Sequence, residues 1–257
     1  MKNNRAKTIW REGKATVGTW LVLGSPIVAE ITANMGFDWL VVDTEHGSID
    51  IGATQSIIQA ISTTDTVPMV RVPWNSPLPI KRALDAGAYG LVIPMVNSRQ
   101  EAIDAVQACR YPPVGSRSYG GPRARLYGGV DYFEHANEEI ALIVQIEHID
   151  AVNCVDDILS VPGVDGYFIG PSDLAISMGL KPGTENPAPE HVAAVSKVLA
   201  SGKKHGVAGG IHVGSPEAAN ARIAEGFKFI ALGSDEAFLR SAASAAAGKI
   251  NPDRKVA

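Results

Sequence analysis

The sequence predicts an α/β protein folded as a single-domain (β/α)8 TIM barrel. Three observations carry that reading. Short β-rich apolar runs alternate with Ala-rich helical stretches along the whole chain, as parallel strands with helical crossovers require. Ser-Pro pairs mark helix starts just after strands, and no linker or low-complexity tract interrupts the 257 residues. Strand runs and helices in equal number favour closure into a barrel over an open doubly wound sheet.

The expected strands are Val17 to Leu23, Trp39 to Asp43, Val67 to Val72, Gly90 to Pro94, Ile140 to Ile146, Gly166 to Ile169, Val207 to Val213 and Phe229 to Leu232. Ser25-Pro26, Ser76-Pro77 and Ser215-Pro216 each put an N-cap residue before a proline suited to the first helical position. Gly36, Gly87 and Gly226 stand where a left-handed residue closes a helix. Tyr111 to Asn137, rich in Gly, Pro and Arg, reads as a functional loop above the fourth strand.

Composition removes several functions. At 46% hydrophobic and 19% charged residues the chain can bury one large core. A formal net charge of -4 with scattered Lys and Arg offers no basic stripe, so nucleic acid is not an expected partner. Cys109 and Cys154 lie far apart without a CxxC, which suggests reduced, packed thiols and a cytoplasmic address. The basic Met1 to Lys14 lacks an apolar core, and no run of about 18 apolar residues follows, so neither export nor membrane insertion is expected.

In this barrel class chemistry sits on the loops that follow the strands. Asp43, Glu45 and His46 follow the second strand, Arg71 ends the third, and Gln145 and Glu147 end the fifth. Gly170, Ser172 and Asp173 follow the sixth, and His212 lies near the end of the seventh. Burying so many ionisable groups unpaired would cost several kcal/mol each, and a cation would relieve much of it. Glu147 and Asp173, on adjacent strands, form the best metal-ligand pair for a hard divalent ion such as Mg2+, Mn2+ or Co2+. An ordinary strand-end carboxylate capping the next helix is the bland alternative for Asp173. His46, beside two carboxylates, is a candidate general base, although a lone loop histidine is more often a surface residue. Arg71 leaves an apolar strand, so its guanidinium should enter the barrel mouth and grip a carboxylate or enolate oxygen, or rest on Asp43 or Glu45. Ser172 and Asp173 open a helix whose N-terminus could cradle a carboxylate or be a plain capped start. No lysine projects from a strand into the expected cavity, which removes Schiff-base chemistry and leaves enolate charge to a metal and Arg71.

Six segments in order carry a family resemblance. They are Val42 to Gly47, Val70 to Asn75, Val92 to Val96, Arg110 to Arg117, Val144 to Glu147 and Gly166 to Leu174. Along nearly its whole length the chain resembles the HpcH/HpaI family of class II, metal-dependent pyruvate aldolases, a (β/α)8 family of the phosphoenolpyruvate/pyruvate superfamily. The resemblance implies a divalent metal held by Glu147 and Asp173, His46 as acid and base, and Arg71 stabilising the enolate or alkoxide charge. It also implies that Gln145 and Ser172 contact the oxoacid. An aspartate raises the basicity of the histidine in this family, and the matching residue is Asp85. Proximity in sequence points instead to Asp43, and both stand as candidates. Relatives are typically hexamers, trimers of dimers, with the C-terminal helix, here about 234–248, packed on a neighbouring subunit. Where relatives carry an aliphatic residue after the seventh strand this chain has His212, and Tyr119 to Arg125 also departs from the pattern. Both are expected to shape the aldehyde end of the site.

The implied reaction is reversible aldol cleavage of a 4-hydroxy-2-oxoacid to pyruvate, or hydroxypyruvate, and an aldehyde. Two rivals remain at this point. A citrate lyase β-like acyl-CoA lyase would need a basic groove, for which Arg110, Arg117, Arg123 and Arg125 are the candidates. A non-catalytic oxoacid-binding barrel would have no use for so full a set of charged rim residues.

Overall fold

In the computed structural model, which describes residues 1–250, eight parallel strands close into a barrel in chain order, β1 to β8. They are β1 Thr16–Leu21, β2 Trp39–Asp43, β3 Val67–Arg71, β4 Gly90–Ile93, β5 Ala141–Ile146, β6 Gly166–Ile169, β7 Ala208–Val213 and β8 Phe229–Ser234. Strands covered on both faces need no polar alternation, and β2 to β6 are buried at every position. The expected strands are found, with β2 and β6 at the predicted bounds and the others shifted by up to two residues at an end.

Helices follow the strands: α1 Arg5–Arg11 precedes β1, then come α2 Pro26–Ala33, α3 Ile51–Ile61, α4 Pro77–Asp85, α5 Arg99–Cys109, α6 Pro122–Gly128 and α7 Tyr132–Glu139. The second half carries α8 Ile149–Asn153, α9 Val155–Leu159, α10 Pro171–Ser177, α11 Pro189–His205, α12 Pro216–Glu225 and α13 Asp235–Ile250. Helices therefore outnumber strands, against the equal count expected. Ser215 caps α12 by accepting the Ala218 N–H at 3.2 Å, whereas Ser25 and Ser76 hold the cap position in extended backbone without a side-chain bond. Gly36, Gly87 and Gly226 have φ of 88°, 104° and 109°, the left-handed region their side-chain neighbours avoid.

The N-terminal end of the barrel is plugged by aromatic rings. Trp39 stacks on Phe229 with centroids 4.1 Å apart, and Trp10 meets Phe229 edge-on at 5.5 Å. Both indole N–H groups donate to the Thr16 hydroxyl, at 2.9 and 3.2 Å, so the plug buries no unpaired donor. Gly18 makes room for it, since a Cβ there would stand 2.2 Å from the Trp39 ring.

The segment from Tyr111 to Asn137 corrects an expectation. It follows α5 rather than β4, contains α6 and most of α7, and lies at the N-terminal end, where the Lys2 N–H donates to the Gly128 carbonyl and Gly128 packs beside Tyr89. Tyr119 to Arg125 therefore does not shape the mouth of its own barrel. Arg110 and Arg117 are buried there in protein contacts, Arg110 on Asp165 at 2.7 Å and Arg117 on Tyr132 at 3.0 Å. The basic groove that an acyl-CoA lyase would need is not assembled from these four arginines.

Candidate active site

The β2–β3 register sets Asp43 opposite Arg71, the last residues of their strands. Arg71 grips Asp43 with two parallel bonds, Nε to Oδ1 at 2.9 Å and Nη2 to Oδ2 at 2.5 Å, and its Nη1 lies 3.2 Å from Glu45. Asp43 Oδ1 also accepts the N–H groups of Glu45 and His46, at 3.1 and 3.3 Å, which pins the turn after β2. Trp20 of β1 places its ring 4.5 Å under the guanidinium. Burial opposes the charge on Arg71, but the Asp43 bonds and the charges of Asp43, Glu45 and Glu147 outweigh it and hold its pKa above the usual value.

Across the mouth, Glu147 follows β5 and is 4% exposed. Its Oε1 accepts the Met95 N–H at 2.9 Å, and its Oε2 accepts the Gln145 side-chain amide. Met95 presents that N–H from φ 53°, a left-handed conformation that a side chain rarely adopts. Gly170 admits the pair, because a Cβ there would stand 2.7 Å from the Glu147 carboxylate and 3.1 Å from the Gln145 amide. Burial pushes Glu147 up to about 7; the Met95 bond works the other way, and the charges of Glu45 and Asp173 push it further up. Burial likewise raises Glu45, against the pull of Arg71. Glu45 Oε2 and Gln145 Oε1 are buried without a hydrogen bond, although the former keeps its ion-pair distance to Arg71.

These groups surround a cavity of about 270 Å³. Asp43, His46, Arg71, Gln145, Gly170, Ser172, Asp173 and His212 all line it, so the structure gathers these residues at one mouth, with Glu147 packed directly against Gln145 and Gly170. No lysine lines it. Asp85 stands apart: at the end of α4, on the N-terminal side, it pairs with Arg117 at 3.2 Å. His46 is exposed, and the carboxylate nearest its ring is Glu45, at 3.9 Å from Nε2. Within the chain neither Asp43 nor Asp85 touches the imidazole; Asp43 serves Arg71 and the turn instead. Trp20 and Met95 belong to the site and were not expected there. A tryptophan in β1 facing an arginine in β3 could have been suspected from strand alternation, but nothing in the sequence announces the φ of Met95.

A divalent cation fits this donor set. Among the described residues no three His, Cys, Asp or Glu side chains converge as a ready metal cage. The charge of Asp173 is near enough to raise the proton affinity of Glu147, which is the repulsion a shared cation removes. Two carboxylates with water completing the shell suit a hard ion that must exchange ligands with substrate.

The family model for HpcH/HpaI aldolase/citrate lyase matches residues 16–242. The chain is 42% identical over 238 residues to a hydroxypyruvate/pyruvate aldolase of Agrobacterium fabrum, covering 90% of this chain and 88% of that one. It is 38% identical over 249 residues to a 4-hydroxy-2-oxo-heptane-1,7-dioate aldolase of Escherichia coli, covering 96% and 94%. Among solved structures, an HpcH/HpaI aldolase/citrate lyase family protein from Burkholderia cenocepacia superposes with a TM-score of 0.91 at 37% identity, covering 96% of this chain and 99% of that one. The chain therefore belongs to the HpcH/HpaI aldolase/citrate lyase family and is a carbon–carbon lyase of it.

Proposed function

We propose that the chain cleaves 4-hydroxy-2-oxoacids reversibly to pyruvate or hydroxypyruvate and an aldehyde, with a divalent cation held by Glu147 and Asp173. The observation that carries this reading is the buried Glu147 carboxylate, held by the Met95 N–H and the Gln145 amide against a cavity that Asp173 and a clamped Arg71 line. The family is generally divalent-metal dependent, and Mg2+, Mn2+ and Co2+ all suit oxygen donors. When bound, such a cation polarises the keto group and tolerates the negative charge of the developing enolate.

The protein's own groups supply the rest. Asp43 takes the Arg71 fork and so fixes the guanidinium at the cavity wall, where its remaining N–H groups meet the keto oxygen as it gains charge, with no reorganisation at the moment of reaction. His46 takes the proton from the 4-hydroxyl, directly or through a water; the C3–C4 bond breaks, its electron pair passes to the oxoacid as enolate, and C4 leaves as aldehyde. Proton return to C3 completes pyruvate. Gln145, Gly170 and Ser172 line the place for the oxoacid carboxylate and keto group.

A homo-oligomer, by resemblance a hexamer, accords with exposed apolar side chains on α2 and α13: Ile27, Ile31, Phe238 and Leu239. Almost all of α13 is exposed. A role for Asp85 toward His46 would need the N-terminal end of one copy to meet the mouth of another, which an oligomer can supply. Cys109 and Cys154 are unpaired, in accord with a reducing cytoplasm, and among the described residues no helix is long and apolar enough to cross a membrane.

The test is a pyruvate-release assay on protein stripped of metal and then reloaded. Stripping is expected to abolish cleavage and reloading to restore it; full turnover after rigorous stripping ends the proposal. His46→Ala should lower kcat by about 10²- to 10⁴-fold with metal still bound, and unchanged kcat removes His46 from the scheme.

A further inference from the structure

His212 is a cavity residue whose chemistry its neighbour fixes. It sits on β7, and its Nδ1 stands 3.1 Å from the indole nitrogen of Trp20. An indole N–H only donates, so Nδ1 is the acceptor and the proton of the neutral ring is on Nε2. Trp20 cannot easily turn away, since its ring lies under Arg71 at 4.5 Å and meets Phe168 edge-on at 5.4 Å. Moving the proton to Nδ1 would set two N–H groups against each other and leave the indole donor unpaired. Burial, with the charge of Arg71, also disfavours a second proton and holds the ring down to about 4. Among the described residues no group accepts from Nε2, which leaves that N–H for whatever fills the cavity.

The position says which part of a ligand it meets. The groups that would take the oxoacid, Gln145, Glu147, Ser172 and Asp173, come from the end of β5, the residue after it and the start of α10, which follows β6. His212, Trp20 and Ser234 form the β7–β8–β1 side of the same cavity. Of the lining residues only Arg71, His46 and His212 can carry positive charge, and Arg71 is already shared by Asp43 and Glu45. Asp43 and Asp173 line the cavity too, and with His46 engaged as the acid-base group and His212 held neutral, a second carboxylate on the ligand would find, among the described lining residues, acids and no cation to spare. The arginines of Arg117 to Arg125 lie at the other end of the barrel and offer it nothing.

We propose that His212 is a specificity-determining residue whose Nε2–H donates to a hydroxyl oxygen of the aldehyde portion, so that hydroxyaldehydes are preferred over aliphatic aldehydes and over aldehydes ending in a carboxylate. The assignment rests on the aldol reading above. An aldehyde with a methyl group at this place would leave the N–H of His212 without a partner on closing the cavity, and a site built around a donor discriminates against such a ligand.

The experiment measures kcat/KM for aldol addition of pyruvate to glycolaldehyde, to the equally sized propanal, and to succinic semialdehyde. It uses metal-loaded wild type, His212→Leu and His212→Gln. The wild type should favour glycolaldehyde; His212→Leu should lower the glycolaldehyde-to-propanal ratio about tenfold, the worth of one well-placed hydrogen bond; and His212→Gln, whose amide can donate, should recover part of it. The KM for pyruvate should stay put. Neutron diffraction on deuterated crystals near pH 7 should find deuterium on Nε2 and none on Nδ1. A parallel fall with both aldehydes, an unmoved ratio, a wild-type preference for succinic semialdehyde, or deuterium on Nδ1 overturns the assignment while leaving the aldolase intact. Absence of turnover with every aldehyde overturns the aldol reading itself, and the assignment with it.

Discussion

The two ends of the barrel each bury charged side chains, and they treat them in opposite ways. At the N-terminal end, Lys7 and Arg110 close on Asp165 at 2.6 and 2.7 Å, and the Leu142 N–H adds a third bond at 2.9 Å. Their remaining donors reach main-chain carbonyls of Glu138, Ile140 and Gly163 at 2.6, 2.8 and 2.9 Å. There, two cations, one carboxylate and several backbone acceptors satisfy one another. At the C-terminal mouth, Arg71 faces Asp43 and Glu45, Glu147 is pushed up to about 7, and buried oxygens of Gln145 and Glu45 lack hydrogen bonds. One cluster is a fastening. The other holds an unmet demand for positive charge, and a site for a cation and a 2-oxoacid needs that demand.

Substitutions at the two ends should therefore fail in different ways. Glu147→Gln keeps the shape and removes the charge: cleavage should fall about 10³-fold, close to 4 kcal/mol, while the metal-free protein melts higher at pH 7. Activity within tenfold of wild type would erase the contrast between the ends. Asp165→Ala should do the reverse, since it leaves Lys7 and Arg110 buried without their carboxylate. A loss of about 3 kcal/mol in urea unfolding is expected, with kcat/KM of the folded protein unchanged; a loss under about 1 kcal/mol would show that the lower cluster fastens little.

Proton linkage sharpens the same contrast. Glu147 is raised from 4.5 to about 7 in the metal-free fold, so its contribution to stability is complete below about 4.5 and is lost as the pH rises through 7, about 3 kcal/mol in all. His212 runs oppositely: lowered from 6.5 to about 4, it contributes fully above 6.5 and loses that contribution as the pH falls toward 4. The slopes partly cancel between. Urea unfolding of metal-free protein across this range should show the cancellation, and Glu147→Gln should uncover the acid-side loss alone; identical profiles would contradict the raised carboxyl.

The barrel was legible because strands buried on both faces must be written as nearly continuous apolar runs, which is why Trp39–Asp43 and Gly166–Ile169 could be bounded at both ends. The rim was legible for a related reason: a polar residue at the end of such a run has only the mouth to enter, as Arg71 does. Direction across the barrel was harder. Tyr111 to Asn137 was expected above β4, but α5 intervenes and carries the chain to the other end first. Asp43 looked like the partner of His46 because it is three residues away, yet strand register sets it against Arg71, and register is a property of two strands rather than of one segment. Trp20 and Met95 depend wholly on neighbours brought from elsewhere in the chain.

The smallest effect tests whether the mouth stores backbone strain as well as charge. Met95 holds φ 53° and uses its N–H to bind Glu147. For a residue with a Cβ that conformation costs about 1 kcal/mol, and glycine adopts it freely at the expense of a looser unfolded chain. Met95→Gly should therefore leave stability unchanged or raise it by up to about 1 kcal/mol, an outcome opposite in sign to most substitutions of a half-buried methionine. Cleavage should weaken severalfold, because a freer backbone holds Glu147 less firmly in place. If stability instead falls by more than about 1 kcal/mol, the Met95 side chain rather than its backbone anchors the loop after β4, and charge alone distinguishes the mouth from the plug.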